Sequence, residues 1–131
     1  MALPPLTAAR IMAGGRVLLG AALVAVPEQA SRPWLGDVSA TGGGRVAVRA
    51  LGIRDLLLGA ITLHTLSHPQ VGPRWVQACA LADAVDAVAT FAEREQLPTV
   101  GAWGTVALAG GSTVAGLVIA GRLKSAGASA G

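Results

Sequence analysis

The sequence predicts an all-α fold, an integral membrane four-helix bundle, and three observations lead there. Composition is the first: 53% of residues are hydrophobic, only 13% are charged, and the mean hydropathy is +0.60. An ordinary soluble domain carries roughly 25% charged residues, so the shift points towards lipid. The second is proline, whose seven copies all fall outside four long apolar stretches. Proline disfavours a helix interior and restricts the residue before it, so this spacing marks boundaries. The third is length, because each stretch comes close to the roughly 20 residues that cross a bilayer core. A single transmembrane domain over residues 1–131 follows. A soluble Ala-rich bundle is the competing fold, and it would need a charged face on every helix.

The first helix, at about 8–26, follows Pro4 and Pro5 and stops at Pro27. Its "VLLGAALVAV" has the length of a secretory h-region. Arg16 just inside it, the prolines before it and the apolar segments after it favour a retained membrane helix. Pro27, Pro33, Trp34 and "TGGGR" make up the first connection; the glycines lack the Walker spacing and read as a linker. The second helix, at about 46–66, belongs to the continuous run "RVAVRALGIRDLLLGAITL". Pro69 and Pro73 separate it from the third, at about 75–93, and Pro98 separates that from the fourth, at about 100–122. The fourth, "VGAWGTVALAGGSTVAGLVIAG", has no charge and is the strongest span, whereas charges interrupt the other three. The tail 124–131, small and polar, is expected to be disordered.

Trp34, Trp75 and Trp103 fall near the expected membrane interfaces, where an amphipathic indole is favoured. Arg10, Arg74, Arg122 and Lys124 would share one side. Arg32, Arg45 and Arg94 would lie on the other, diluted by Glu28, Asp37, Glu93 and Glu95. The positive-inside rule then places both termini in the cytoplasm, with the chain in the plasma membrane.

Several function classes drop out. Scattered arginines without interleaved aromatics give no support to a nucleic-acid partner. One cysteine, Cys79, excludes an internal disulfide and a multi-cysteine metal site. His64 and His68 have the i, i+4 spacing of a metal pair but no third ligand nearby, and read as interfacial histidines. No metal and no cofactor are expected.

What remains is charge at one depth. Arg16 lies beside the midpoint of the first helix, Arg54 and Asp55 beside that of the second, and Asp83 and Asp86 bracket that of the third. Alone in lipid each would cost ~2.5–3.5 kcal/mol on insertion scales, so they should point inward and pair. Two arginines against three aspartates leave one surplus negative charge, which Arg49 or a retained proton would neutralise. Neighbours on a helix diverge by about 100°, so Arg54 and Asp55 should not share a partner. The expected arrangement puts Arg54 or Arg16 between Asp83 and Asp86, with Asp55 taking the other arginine.

A structural reading makes this cluster a lock between helices, since lipid supplies no hydrophobic drive for their association. A functional reading makes Asp83 and Asp86 an acid–base pair, because two close carboxyls in low dielectric resist ionising together. Asp83, Asp86 and Asp55 are then the candidate catalytic residues, with Arg16, Arg49 and Arg54 holding the substrate. The chemistry would be that of an isomerase, cyclase or epoxide hydrolase acting on a lipophilic small molecule from the bilayer. The alternatives are an accessory or scaffold subunit and a proton-coupled transporter.

Small residues repeat every four along the fourth helix, at Ser112, Gly116 and Ala120 and at Ala107, Gly111 and Ala115. Such faces suit a homo-oligomer or a partner helix. Aligning Arg10 with Arg49 also matches "LLGA" at 18–21 with "LLGA" at 57–60 and sets Arg16 against Asp55. In antiparallel neighbours this would be an inverted pair with exchanged charge, a feature met in transporters, although Ala/Gly/Leu-rich sequence also matches itself by chance. Finally, "RALGIRDLLLGAITL" followed by "LADAVDAVATF" resembles small four-helix bacterial membrane proteins, mainly actinobacterial, of unknown function and loosely similar to DoxX-like proteins. The resemblance covers most of residues 8–122 and implies a four-helix integral membrane fold; it brings no reaction with it.

Overall fold

The structure is a computed structural model and describes residues 2–131. Five α-helices follow one another: α1 (Pro5–Ala25), α2 (Pro27–Leu35), α3 (Gly42–Thr65), α4 (Gly72–Ala92) and α5 (Thr99–Ser129). Short 3-10 turns at Gly36–Ala40 and Arg94–Gln96 precede α3 and α5, and no strand occurs among the described residues. Helices α1, α4 and α5 are long and apolar enough to cross a membrane. Helix α3, with 24 residues, has the length, but Arg45, Arg49, Arg54 and Asp55 break its apolar run.

Two expectations need correction. The glycines of "TGGGR" are not a linker but the first turn of α3, capped by the Thr41 side chain, which accepts from the Gly44 N–H; before them Pro27–Leu35 forms α2. Pro27 stands at its first position, where the missing N–H costs nothing, and Pro33 falls in its last turn. Gly36 then ends it at φ +64°, a conformation that favours glycine. Nor is the tail disordered: α5 continues to Ser129. The Lys124 ammonium donates to the Gln77 side chain at 3.0 Å, and Gly127 lies against Pro69, so the last turns of α5 pack on the start of α4.

Helices α1 and α3 run antiparallel in close contact, as do α4 and α5; the contacts between the two pairs are lighter. Glycine sets the first pairing. A Cβ on Gly20 would stand 2.6 Å from the Gly52 carbonyl oxygen and 2.5 Å from the Leu56 nitrogen. A Cβ on Gly59 would stand 2.7 Å from the Ala13 oxygen and 3.0 Å from the Val17 nitrogen. These are the same contacts under an exchange of each α1 residue with the α3 residue 39 positions later, the separation of Arg16 and Asp55. The repeat in the sequence is thus an inverted helix pair. In the second pairing a Cβ on Gly116 would lie 3.0 Å from Ala80 Cβ.

Buried apolar residues are few and small, Ala9, Ala13, Ala80, Ala102 and Ala120 among them. Large apolar side chains instead cover the outside, with Leu18, Val46, Val88 and Leu108 each more than two-thirds exposed. Small residues within and large ones without are the reverse of a water-soluble core and the pattern of helices packed in lipid. At the end where the chain begins, Ala9, Leu66, Val76 and Ala120 meet in one cluster, flanked by Leu6, Ile119 and Leu123.

Candidate functional site

At mid-height α1, α3 and α4 bring five charged side chains into one chain of contacts. Arg16 donates from Nη1 to Asp55 Oδ1 at 2.9 Å and from Nη2 to Asp83 Oδ1 and, at 3.3 Å, to the Cys79 carbonyl. Arg54 donates from Nε and Nη2 to the same Asp55 Oδ1, at 3.2 and 3.0 Å. It also forms a two-pronged pair with Asp86, Nη1 to Oδ1 at 3.0 Å and Nη2 to Oδ2 at 2.6 Å. The order is therefore Asp83, Arg16, Asp55, Arg54, Asp86, with charges alternating throughout.

This differs from the expected pairing in three ways. No arginine sits between Asp83 and Asp86; each of those carboxylates has its own, and Asp55 is the shared centre. Arg54 does reach Asp55, because its long side chain curls back across the angle separating their backbones. Arg49 stays out: it is exposed and its Nε donates to the Val24 carbonyl at 3.2 Å, one α1–α3 contact beyond the cluster. The other polar side chains along and just beyond α4 have partners of their own. Thr90 accepts from Trp34 Nε1 at 3.1 Å, Cys79 Sγ lies 3.3 Å from Thr62 Oγ1, and Arg94 covers the Phe91 ring.

Beside the cluster lies a cavity of about 530 Å³ between the two helix pairs. Arg16, Asp55, Asp83 and Asp86 form a polar band on its wall at mid-height, with Met12 and Val76 lining it towards the end where the chain begins and Leu23 and Leu51 towards α2. Ile11 and Leu19 on α1 and Leu108 on α5 line it and are also exposed at the outer surface, so it opens sideways between α1 and α5. Its far end is covered by α2, which contributes Ala30 and Trp34. That helix is seated tightly on α5, for Gly101 meets the Pro33 carbonyl where no Cβ would fit. Sequence reasoning did not find Trp34 as a lining residue; its only signal was an aromatic in a proline-flanked connection.

Every buried side-chain nitrogen and oxygen has a partner among the described residues. Two carboxylate oxygens nevertheless keep access to open space: Asp55 and Asp83 make all their hydrogen bonds through Oδ1, leaving Oδ2 of each free at the cavity. Asp86 uses both of its oxygens on Arg54. Asp55 and Asp83 are thus the carboxylates placed to meet a molecule in the cavity, Asp83 with one guanidinium on its bonded oxygen and Asp55 with two, and Asp86 is held back. Among the described residues no three His, Cys, Asp or Glu side chains converge as metal ligands would. His64 and His68 lie at the end of α3, ring centroids 6.5 Å apart. No family model, curated protein or solved structure matches the chain.

Proposed function

We propose that this chain is a four-helix membrane protein, with α3 as the fourth span, whose chamber takes a lipophilic small molecule from the bilayer and exchanges a proton with it at Asp83. The cavity carries this reading: it is mostly apolar-walled, open at the side between α1 and α5, and lined at mid-height by a carboxylate with a free oxygen. Arg54 and Asp55 do not oppose the insertion of α3, since they are paired inside while Val46, Ile53, Leu57 and Leu63 face out, and Arg45 and Arg49 stand in its first two turns, within reach of an interface. An isomerase, cyclase or epoxide hydrolase would need such a site: a dry pocket, an ionisable group at its wall and guanidinium groups fixing charge.

Quenching by 1-bromodecane tests whether the chamber is occupied. In nanodiscs carrying Trp75→Phe and Trp103→Phe, the probe should quench Trp34 saturably. The added substitution Gly15→Phe should remove the saturable part, because Gly15 lines the cavity and has room for a side chain. Quenching that rises linearly, unchanged by Gly15→Phe, would end the chamber reading.

One observation favours a second reading. The salt bridges that join all five charged side chains suit a lock that holds α1, α3 and α4 together in a scaffold subunit. A scaffold has no use for the cavity, so the same quenching experiment separates the two.

A further inference from the structure

The charged band of the chamber is not balanced. One cation, Arg16, and three carboxylates line it, and Arg54 pairs with Asp55 and Asp86 from outside the lining. Counted together, two arginines stand against three aspartates, so with all three carboxylates ionised the network carries one uncompensated negative charge. No lysine or histidine lines the cavity, and no further arginine does. The free oxygens belong to residues more than nine-tenths buried, Asp55 at 5% and Asp83 at 8% exposure, and both accept hydrogen bonds only. A surplus charge at mid-membrane depth is costly unless something positive meets it.

From these observations we infer that the ligand of the chamber is an amphiphile with an apolar body and a single cationic ammonium head, seated with its N–H groups on Asp83 Oδ2 and Asp55 Oδ2. This rests on the reading of the cavity as a lipophilic chamber and adds the charge of its occupant. The shape agrees: apolar walls run from the charged band to the gap between α1 and α5, so the head can reach the aspartates while the tail remains towards lipid. A neutral guest would leave the surplus charge in place. An anionic guest would add to it and find only Arg16, already committed to two carboxylates and a carbonyl.

Three probes of one chain length test this: decylamine, 1-decanol and sodium decyl sulfate. Each is titrated into the full chain carrying Trp75→Phe and Trp103→Phe and otherwise wild type, in zwitterionic nanodiscs, with empty nanodiscs for partitioning and Trp34 emission as the signal. In the wild type, decylamine should bind at least about ten-fold more tightly than decanol, and decyl sulfate should not saturate. Asp83→Asn, which removes the surplus charge, should bring decylamine and decanol to parity while decanol still binds. The wild-type comparison stands even if that variant fails to fold. Equal binding of decylamine and decanol, both lost in Gly15→Phe, would overturn the cationic ligand and keep the chamber, the surplus then being met by a proton. Binding of none beyond the empty nanodisc would overturn both.

Discussion

Replacing Arg16 by methionine should be the most damaging single change to the network. Arg16 is 10% exposed at its side chain and links Asp55 on α3 with Asp83 on α4. Its removal deletes two charge-assisted hydrogen bonds, each about 1.5–3 kcal/mol. It also leaves Asp83 with no partner and three carboxylates facing Arg54 alone. Breaking a buried pair from one side costs about 3–5 kcal/mol, which agrees with the bond-by-bond range. Arg16→Lys should fall between, since one ammonium cannot fork across two helices. The double variant Arg16→Met/Asp83→Leu removes the pair together and restores the wild-type excess of one negative charge. It should recover most of the loss, as apolar replacement of a whole buried pair often does. Unfolding by sodium dodecyl sulfate from mild detergent, followed by far-ultraviolet circular dichroism, supplies the four corners of the cycle. A loss below about 1 kcal/mol for Arg16→Met, the size of an exposed pair, would refute the reasoning. So would a double variant no more stable than the single.

The inverted pairing of α1 and α3 makes Gly20→Ala and Gly59→Ala equivalent perturbations. Each presses a methyl group on backbone atoms, at an expected cost of about 1–3 kcal/mol in the same unfolding assay. Gly111→Ala, where a Cβ meets nothing within 4 Å, should be neutral or stabilising by about 0.4–1 kcal/mol. Trp34→Phe should cost about 1 kcal/mol through its hydrogen bond to Thr90, and should raise amide exchange in α2 before it affects α4. Proton exchange at Asp83 can be read by incubating a bacterial lipid extract with the protein in D2O. At least one lipophilic species should gain deuterium with the wild type and not with Asp83→Asn, and no mass shift in any species would count against the acid–base step.

Much of this arrangement was legible from residue type and position. Proline spacing placed the boundaries between four long helices to within a few residues, because a helix interior rejects proline, but with no proline after Pro98 it gave no stop for α5, which runs on to Ser129. It failed for α2 because Pro27 sits at a first position, where the missing N–H costs nothing, and because α2 tolerates Pro33 inside it at the cost of one backbone hydrogen bond. The charges met because they share a height on three packed helices whose other inward residues offer them no alternative charged partner. Which arginine met which aspartate was not legible, for it depends on the long side chain of Arg54 folding back over one helical step. The "LLGA" repeat pointed to a real packing relation, since its glycines are the close-contact residues Gly20 and Gly59. The cavity left no local signal. It arises where two glycine-tight pairs diverge, a property of helix placement and of no single residue.

The most direct test is where a lipid-borne reagent reaches the chain. A decyl diazirine photolysed in nanodiscs and mapped by mass spectrometry should label Met12, Asp83 and Ser112 within the chamber, as well as outward residues such as Leu18 and Val88. Gly15→Phe should suppress the first group and leave the second. Labelling confined to Leu18, Val88 and their outward neighbours would contradict a chamber open to the bilayer, and the Arg/Asp network would then be a lock alone.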